Sequence, residues 1–138
     1  MNYQETVIGL YYLLIYADGH ASEKELQFGK QMMTVEGWDV TQLEETIASY
    51  KTKDKKELYS ECLAEFRKFD KLKQIRYISW LCVIANSDGF MDKEEWTLIY
   101  KIYNEELKLS LDEILKTQKE INKTLHGREF LTFGVKVK

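Results

Sequence analysis

The chain contains no proline at all, although average usage would place about seven in its 138 residues. Because proline breaks helix interiors, its absence is compatible with long helices anywhere in the chain. Cysteine is scarce as well: only Cys62 and Cys82 occur, and their spacing matches neither a CxxC motif nor a cluster of metal ligands. Two dispersed cysteines are typical of a reduced protein, so we expect a cytoplasmic location.

The sequence also lacks long apolar runs and a strong excess of basic charge. Two uncharged stretches, residues 7–17 and 77–87, have 11 residues each, whereas a membrane-spanning helix needs about 20. They predict buried helices rather than membrane spans. The first five residues carry no basic group, so no secretory leader is expected. The formal net charge is −3, and we expect no nucleic-acid partner because phosphate binding requires clustered Lys and Arg.

Helix-start signals recur along the whole chain. In five places a Ser, Thr or Asp is followed three positions later by Glu, a pattern in which the first side chain accepts a backbone N–H and the Glu reaches back. Apolar residues between these signals have helical spacing, so we predict a single all-α domain of about seven helices. The five pairs are Ser22/Glu25, Thr41/Glu44, Asp54/Glu57, Asp92/Glu95 and Ser110/Glu113. The predicted helices span residues 2–17, 22–35, 41–50, 54–68, 70–86, 92–105 and 110–125.

Each of the two uncharged stretches is followed by the same kind of acidic turn. Residues 18–25, DGHASEKE, recur 70 positions later as residues 88–95, DGFMDKEE. Apolar positions before and after the turn match at the same offset. The sequence therefore predicts a duplicated helical unit, with repeats at about residues 5–50 and 75–125, packed into one helical bundle that occupies residues 1–127.

The last residues differ from the rest of the chain. Residues 131–138 alternate with the period of a strand, so the segment 128–138 is predicted to be a separate, extended tail. No other predicted strand is available to pair with it. One interpretation is a terminus that packs on the bundle through Phe130 and Phe133. The other is an edge that pairs with a second copy, forming a homodimer, or with a partner chain.

The acidic turn resembles the signature of the tellurite-resistance TerB-like family, in which an apolar helix leads into an Asp-Gly turn and an acidic helix start. Ala17-Asp18-Gly19 followed by Glu25 fits this signature, and so do residues 85–95. The resemblance covers roughly residues 5–120 and extends to the TerB-like N-terminal domain of certain membrane-associated co-chaperones. It implies a duplicated, all-helical, non-enzymatic domain linked to stress responses and tellurite resistance, in which acidic residues have been proposed to bind metal.

The acidic turns match half of a calcium-binding EF-hand loop. With Gly19 or Gly89 at loop position 6, each turn places an Asp at position 5 and a Glu at position 12. The first ligand position fails, because Leu14 and Ile84 stand where a carboxylate is required. Helix capping accounts for the same residues, and a weak divalent-cation site is the alternative. The candidate ligands are Asp18, Glu25, Asp88, Asp92, Glu94 and Glu95, with His20 beside the first turn.

The sequence shows no recognised catalytic motif and no glycine-rich phosphate loop. Most aromatic residues fall at helical spacing and predict core packing, although Tyr16, Trp96 and Tyr100 are candidates for a ligand or peptide groove between the repeats. The predicted function is therefore a non-enzymatic binding or scaffolding module with a protein partner, in a cytoplasmic stress response. The alternative is a divalent-metal-binding protein that senses or buffers the ion through its acidic turns.

Overall fold

The computed structural model describes the backbone of residues 1–133 and the side chains of residues 1–126. Every regular element in this part of the chain is a helix, which confirms the predicted all-α class. A π-helical segment, Lys101–Glu106, continues α6. The seven α-helices are α1 (Tyr3–Ile15), α2 (Glu23–Glu36), α3 (Val40–Tyr50), α4 (Lys55–Phe66), α5 (Lys71–Ala85), α6 (Lys93–Tyr100) and α7 (Leu111–Phe133).

Side-chain caps fix where most of the helices begin. The prediction differs at α3, where Asp39 rather than Thr41 is the cap. The Asp39 carboxylate accepts from both the backbone N–H and the hydroxyl of Thr41, so the helix starts earlier than the Thr41/Glu44 pair suggested. Four predicted caps accept the expected backbone N–H: Ser22, Asp54, Asp92 and Ser110.

The helices α1 and α5 form the centre of the core. Every residue of α1 from Thr6 to Ile15 is buried, and so is every residue of α5 from Tyr77 to Ala85. These segments correspond to the two uncharged stretches of the sequence. Around them, α3 and α4 pack on α1, while α2 and α7 pack on α5. No helix within residues 1–133 is long and apolar enough to cross a membrane.

The last helix is longer than predicted. Helix α7 continues to Phe133, so residues 128–133 are helical where the sequence suggested an extended tail. Gly127 weakens a helix interior by only about 1 kcal/mol relative to alanine, and Arg128 and Glu129 are good helix formers. Residues 134–138 lie outside the described residues. The division of the chain at residue 127 and the pairing of the tail with a second copy stay predictions.

A carboxylate at the end of α2 ties that helix to the central helix α5. The Glu36 side chain is only 9% exposed. It accepts hydrogen bonds from Arg76 Nε at 2.9 Å, from Trp80 Nε1 at 2.9 Å and from the Tyr77 hydroxyl at 3.3 Å. Arg76 donates through Nη2 as well, so one carboxylate satisfies four donor groups from three residues of α5, including the indole N–H of the fully buried Trp80.

We expect Glu36→Ala to lower the free energy of unfolding by about 2–4 kcal/mol, because it leaves the Arg76 and Trp80 donors without their acceptor. Urea denaturation followed by circular dichroism measures the loss. The control is Glu65→Ala, which removes a carboxylate from a surface pair with Lys68 that is worth at most about 1 kcal/mol. Equal losses in the two variants would contradict the role assigned to Glu36.

Candidate functional site

Two turns of similar construction connect α1 to α2 and α5 to α6. Gly19 and Gly89 have φ angles of +103° and +95°. Each donates its N–H to the carbonyl three residues earlier, that of Tyr16 at 3.0 Å and that of Asn86 at 2.9 Å. A Cβ added at either glycine would meet nothing within 4 Å, so the left-handed backbone, and not lack of space, requires glycine here. Each turn redirects the chain from a buried helix into a capped one.

The two turns meet across a single cavity of about 150 Å³, which we call the acidic cavity. Side chains from both turns and from the starts of α2 and α6 line it. Five of these residues carry carboxyl groups, so acidic residues that are far apart in the sequence share one site. The lining residues are Asp18, His20, Ser22, Glu25, Asp88, Phe90, Asp92 and Glu95.

Glu25 and Glu95 face each other across the acidic cavity and are only 6% and 3% exposed. One oxygen of each closes the capping box of its own helix, accepting from the Ser22 N–H at 3.0 Å and from the Asp92 N–H at 3.2 Å. The two carboxyl groups also contact each other, and in this buried position the contact favours a proton on one of them. Burial, and then the contact with Glu25, raises the pKa of Glu95 to about 9. Glu95 therefore keeps its proton at neutral pH.

Asp18 and Asp92 form a second acidic pair between the turns. The backbone N–H of His20 donates to Asp18 at 3.3 Å and is the main cause that holds the pKa of Asp18 below its usual range. Burial is the main cause that raises the pKa of Asp92, and the contact with Asp18 adds to it. The acidic cavity thus contains two pairs of acidic side chains, each with one member from each turn.

The structure brings five of the six predicted metal ligands to the acidic cavity. The exception is Glu94, which is exposed and does not line the cavity, although its charge contributes to the raised pKa of Asp92. The ligand prediction did not include Phe90, which lines the cavity and is 67% exposed. Among the side chains of residues 1–126, no three His, Cys, Asp or Glu groups are arranged to hold a metal ion as they stand. The donors are arranged in pairs instead.

The residues of the predicted aromatic groove fall into two ring groups. Trp96 and Tyr100 have ring centroids 5.8 Å apart, and both contact Tyr103. Tyr16 contacts Tyr12 instead, at 5.2 Å. The observed ring contacts do not join Tyr16 to the other two residues, and a groove shared by all three stays a prediction.

Comparison with known protein families gives a match over most of the chain. A family model described as tellurite resistance protein TerB matches residues 4–117, which is more than half of the chain and includes every residue that lines the acidic cavity. No curated protein and no solved structure matches the chain.

The raised pKa of Glu95 should make the fold less stable as the pH rises. A glutamic acid in an unfolded chain loses its proton near about pH 4.3, whereas folded Glu95 keeps its proton up to about pH 9. Between these values the folded state binds more protons than the unfolded state. The free energy of unfolding therefore falls with increasing pH, by at most about 1.4 kcal/mol per pH unit from this group.

Urea denaturation between about pH 7 and pH 8.5 measures this slope. Glu95→Gln should flatten it, because glutamine donates to Glu25 without a titrating proton and still closes the capping box. Glu57→Gln is the matched control, since Glu57 holds the equivalent position in α4, away from the acidic cavity. A slope that persists in Glu95→Gln would show that Glu95 is not its source.

Proposed function

The chain belongs to the tellurite resistance protein TerB family, and within that family we propose that it is a binding module whose acidic cavity takes up a divalent cation. The observation that carries the proposal is the meeting of five carboxyl groups from two turns in one cavity, with Glu25 and Glu95 almost completely buried. Carboxylates crowded around a cavity repel one another, most strongly at its buried end where water screens them least, and a cation held between them removes that repulsion.

The donor set favours a hard cation. The cavity offers five carboxyl groups and the hydroxyl of Ser22, against one imidazole, that of the exposed His20, while the thiols of Cys62 and Cys82 are buried in the core. Such oxygens are the preferred ligands of Ca²⁺ and Mg²⁺. Because the donors are arranged in pairs, binding requires them to rearrange, which suits the flexible coordination of Ca²⁺ better than the rigid octahedron of Mg²⁺. The residues that would hold the ion are Asp18, Glu25, Asp88, Asp92 and Glu95.

The same residues link a bound cation to the surface of the module. Glu25 and Glu95 close the capping boxes of α2 and α6, so an ion that recruits them acts on the first turn of both helices. On α6, Trp96 and Tyr100 are 44% and 38% exposed, and aromatic residues are enriched where proteins bind one another. These features support a module that works by binding a protein partner rather than by catalysis. The cytoplasmic stress setting and the link to tellurite are part of the proposal, and the family description supports the latter.

We expect millimolar Ca²⁺ to shift the backbone amide signals of Gly19 and Gly89 in a ¹H–¹⁵N correlation spectrum. Asp92→Asn should weaken binding by about tenfold, because it removes one carboxylate from the cavity. Asparagine is as good a helix cap as aspartate, so the start of α6 is preserved in the variant.

The matched control is Asp70→Asn, since Asp70 caps α5 in the same way but does not line the acidic cavity. This variant should bind as tightly as the wild type. Parallel titrations with Mg²⁺ and Zn²⁺ test the preference for Ca²⁺, and binding of Zn²⁺ alone would contradict the assignment to a hard cation. Unchanged signals of both glycines with every ion, up to about 10 mM, would overturn the cation proposal.

A further inference from the structure

One flank of α7 carries an apolar stripe that is exposed to solvent. Leu111 and Leu115 lie one helical turn apart and are 44% and 49% exposed, whereas Ile114 between them is buried. Gln118 and Asn122 extend the stripe with amide side chains over the next two turns, and with Leu115 they line a groove of about 520 Å³. The spacing of four, three and four residues is that of a seam between paired helices.

We propose that this flank of α7 binds the same flank of a second copy of the chain, as an antiparallel helix pair. In a pair with two-fold symmetry every contact occurs twice. When Leu115 of one copy lies opposite Gln118 of the other, Leu111 lies opposite Asn122. In that register Asp112 of each copy lies beside Lys119 of the other, and two ion pairs border the seam.

The charges on the edge of the stripe select this register. Asp112 and Lys119 are both exposed and lie one heptad apart, on the edge of the stripe that faces away from the core. A shift of one heptad in one direction would place Leu111 opposite Leu115 but would also place Asp112 opposite Asp112. A shift in the other direction would place Lys119 opposite Lys119. Repulsion between like charges disfavours both shifts. Of these three registers, only the proposed one places Asp112 beside Lys119.

The size of the contact predicts a weak dimer. Two leucines and two amide side chains from each copy bury less than the roughly 800 Å² per partner that is typical of a stable interface. We therefore expect a dimer that exchanges rapidly with the monomer and is populated only at high protein concentration. All the residues involved lie within the described part of α7, so the contact does not depend on residues 134–138.

Sedimentation equilibrium of the full chain, from about 20 μM to about 1 mM, tests the proposal. The average mass should rise with concentration toward that of two chains. Asp112→Lys and Lys119→Asp should each weaken association by about tenfold, because each opposes like charges twice across the seam. The double variant restores both ion pairs with reversed polarity, so it should associate within about threefold of the wild type.

The matched control is Glu113→Lys, which makes the same charge change in the first turn of α7 but on the side of the helix opposite the stripe. It should associate like the wild type, and circular dichroism checks that all variants keep their helices. A single-chain mass at about 1 mM would overturn the proposal. The proposal would also be overturned if neither charge reversal weakened association, or if the double variant associated as weakly as the single variants. Either result would place the contact elsewhere or in another register.

Discussion

The burial of α1 and α5 side by side is the constraint on which the acidic cavity depends. Both helices are buried on all sides over their C-terminal halves, so the chain can return to solvent only after their last apolar residue. The turns that follow the two helices line the same cavity, which means that both helices end at one end of the bundle. Each turn supplies a polar cap for the next helix. Packing the two helices together therefore brings two sets of capping carboxylates into contact.

At this contact, the capping of each helix conflicts with the packing of the two helix starts against each other. Glu25 and Glu95 each satisfy a backbone N–H at the start of their own helix, and each would be favourable if the helix stood alone. In the fold they become buried neighbours that would repel each other if both were ionised. Glu36 shows the contrasting solution, because its carboxylate is surrounded by the donors of Arg76, Tyr77 and Trp80. Glu36 is thus satisfied within the protein, whereas the Glu25–Glu95 pair needs a proton or an added cation.

Features that depend on neighbouring residues could be predicted from the sequence, and those that depend on distant contacts could not. Helix positions and most caps follow from local spacing, and the errors arose where local signals compete, as between Asp39 and Thr41 or at Gly127. The repeated acidic turn was visible in the sequence, and five of the six acidic residues that it singled out line the cavity, whereas Glu94 does not. Repetition does not reveal contact, however. The pairing of Glu25 with Glu95, and of Asp18 with Asp92, arises only because the central helices pack together.

The acidic cavity is unequal on its two sides, and this inequality points to α6 as the element that a cation would affect. Positions 70 residues apart carry Ser22 on one side and Asp92 on the other, so a hydroxyl stands on the first side where the second side has the carboxyl group that contacts Asp18. Three carboxyl groups therefore come from the second turn and two from the first. An ion that displaces the protons held on the second side would gain the larger number of carboxylate ligands there, and it would engage the start of α6. That helix has only eight residues before it passes into a π-helical segment, an irregularity that often accompanies function.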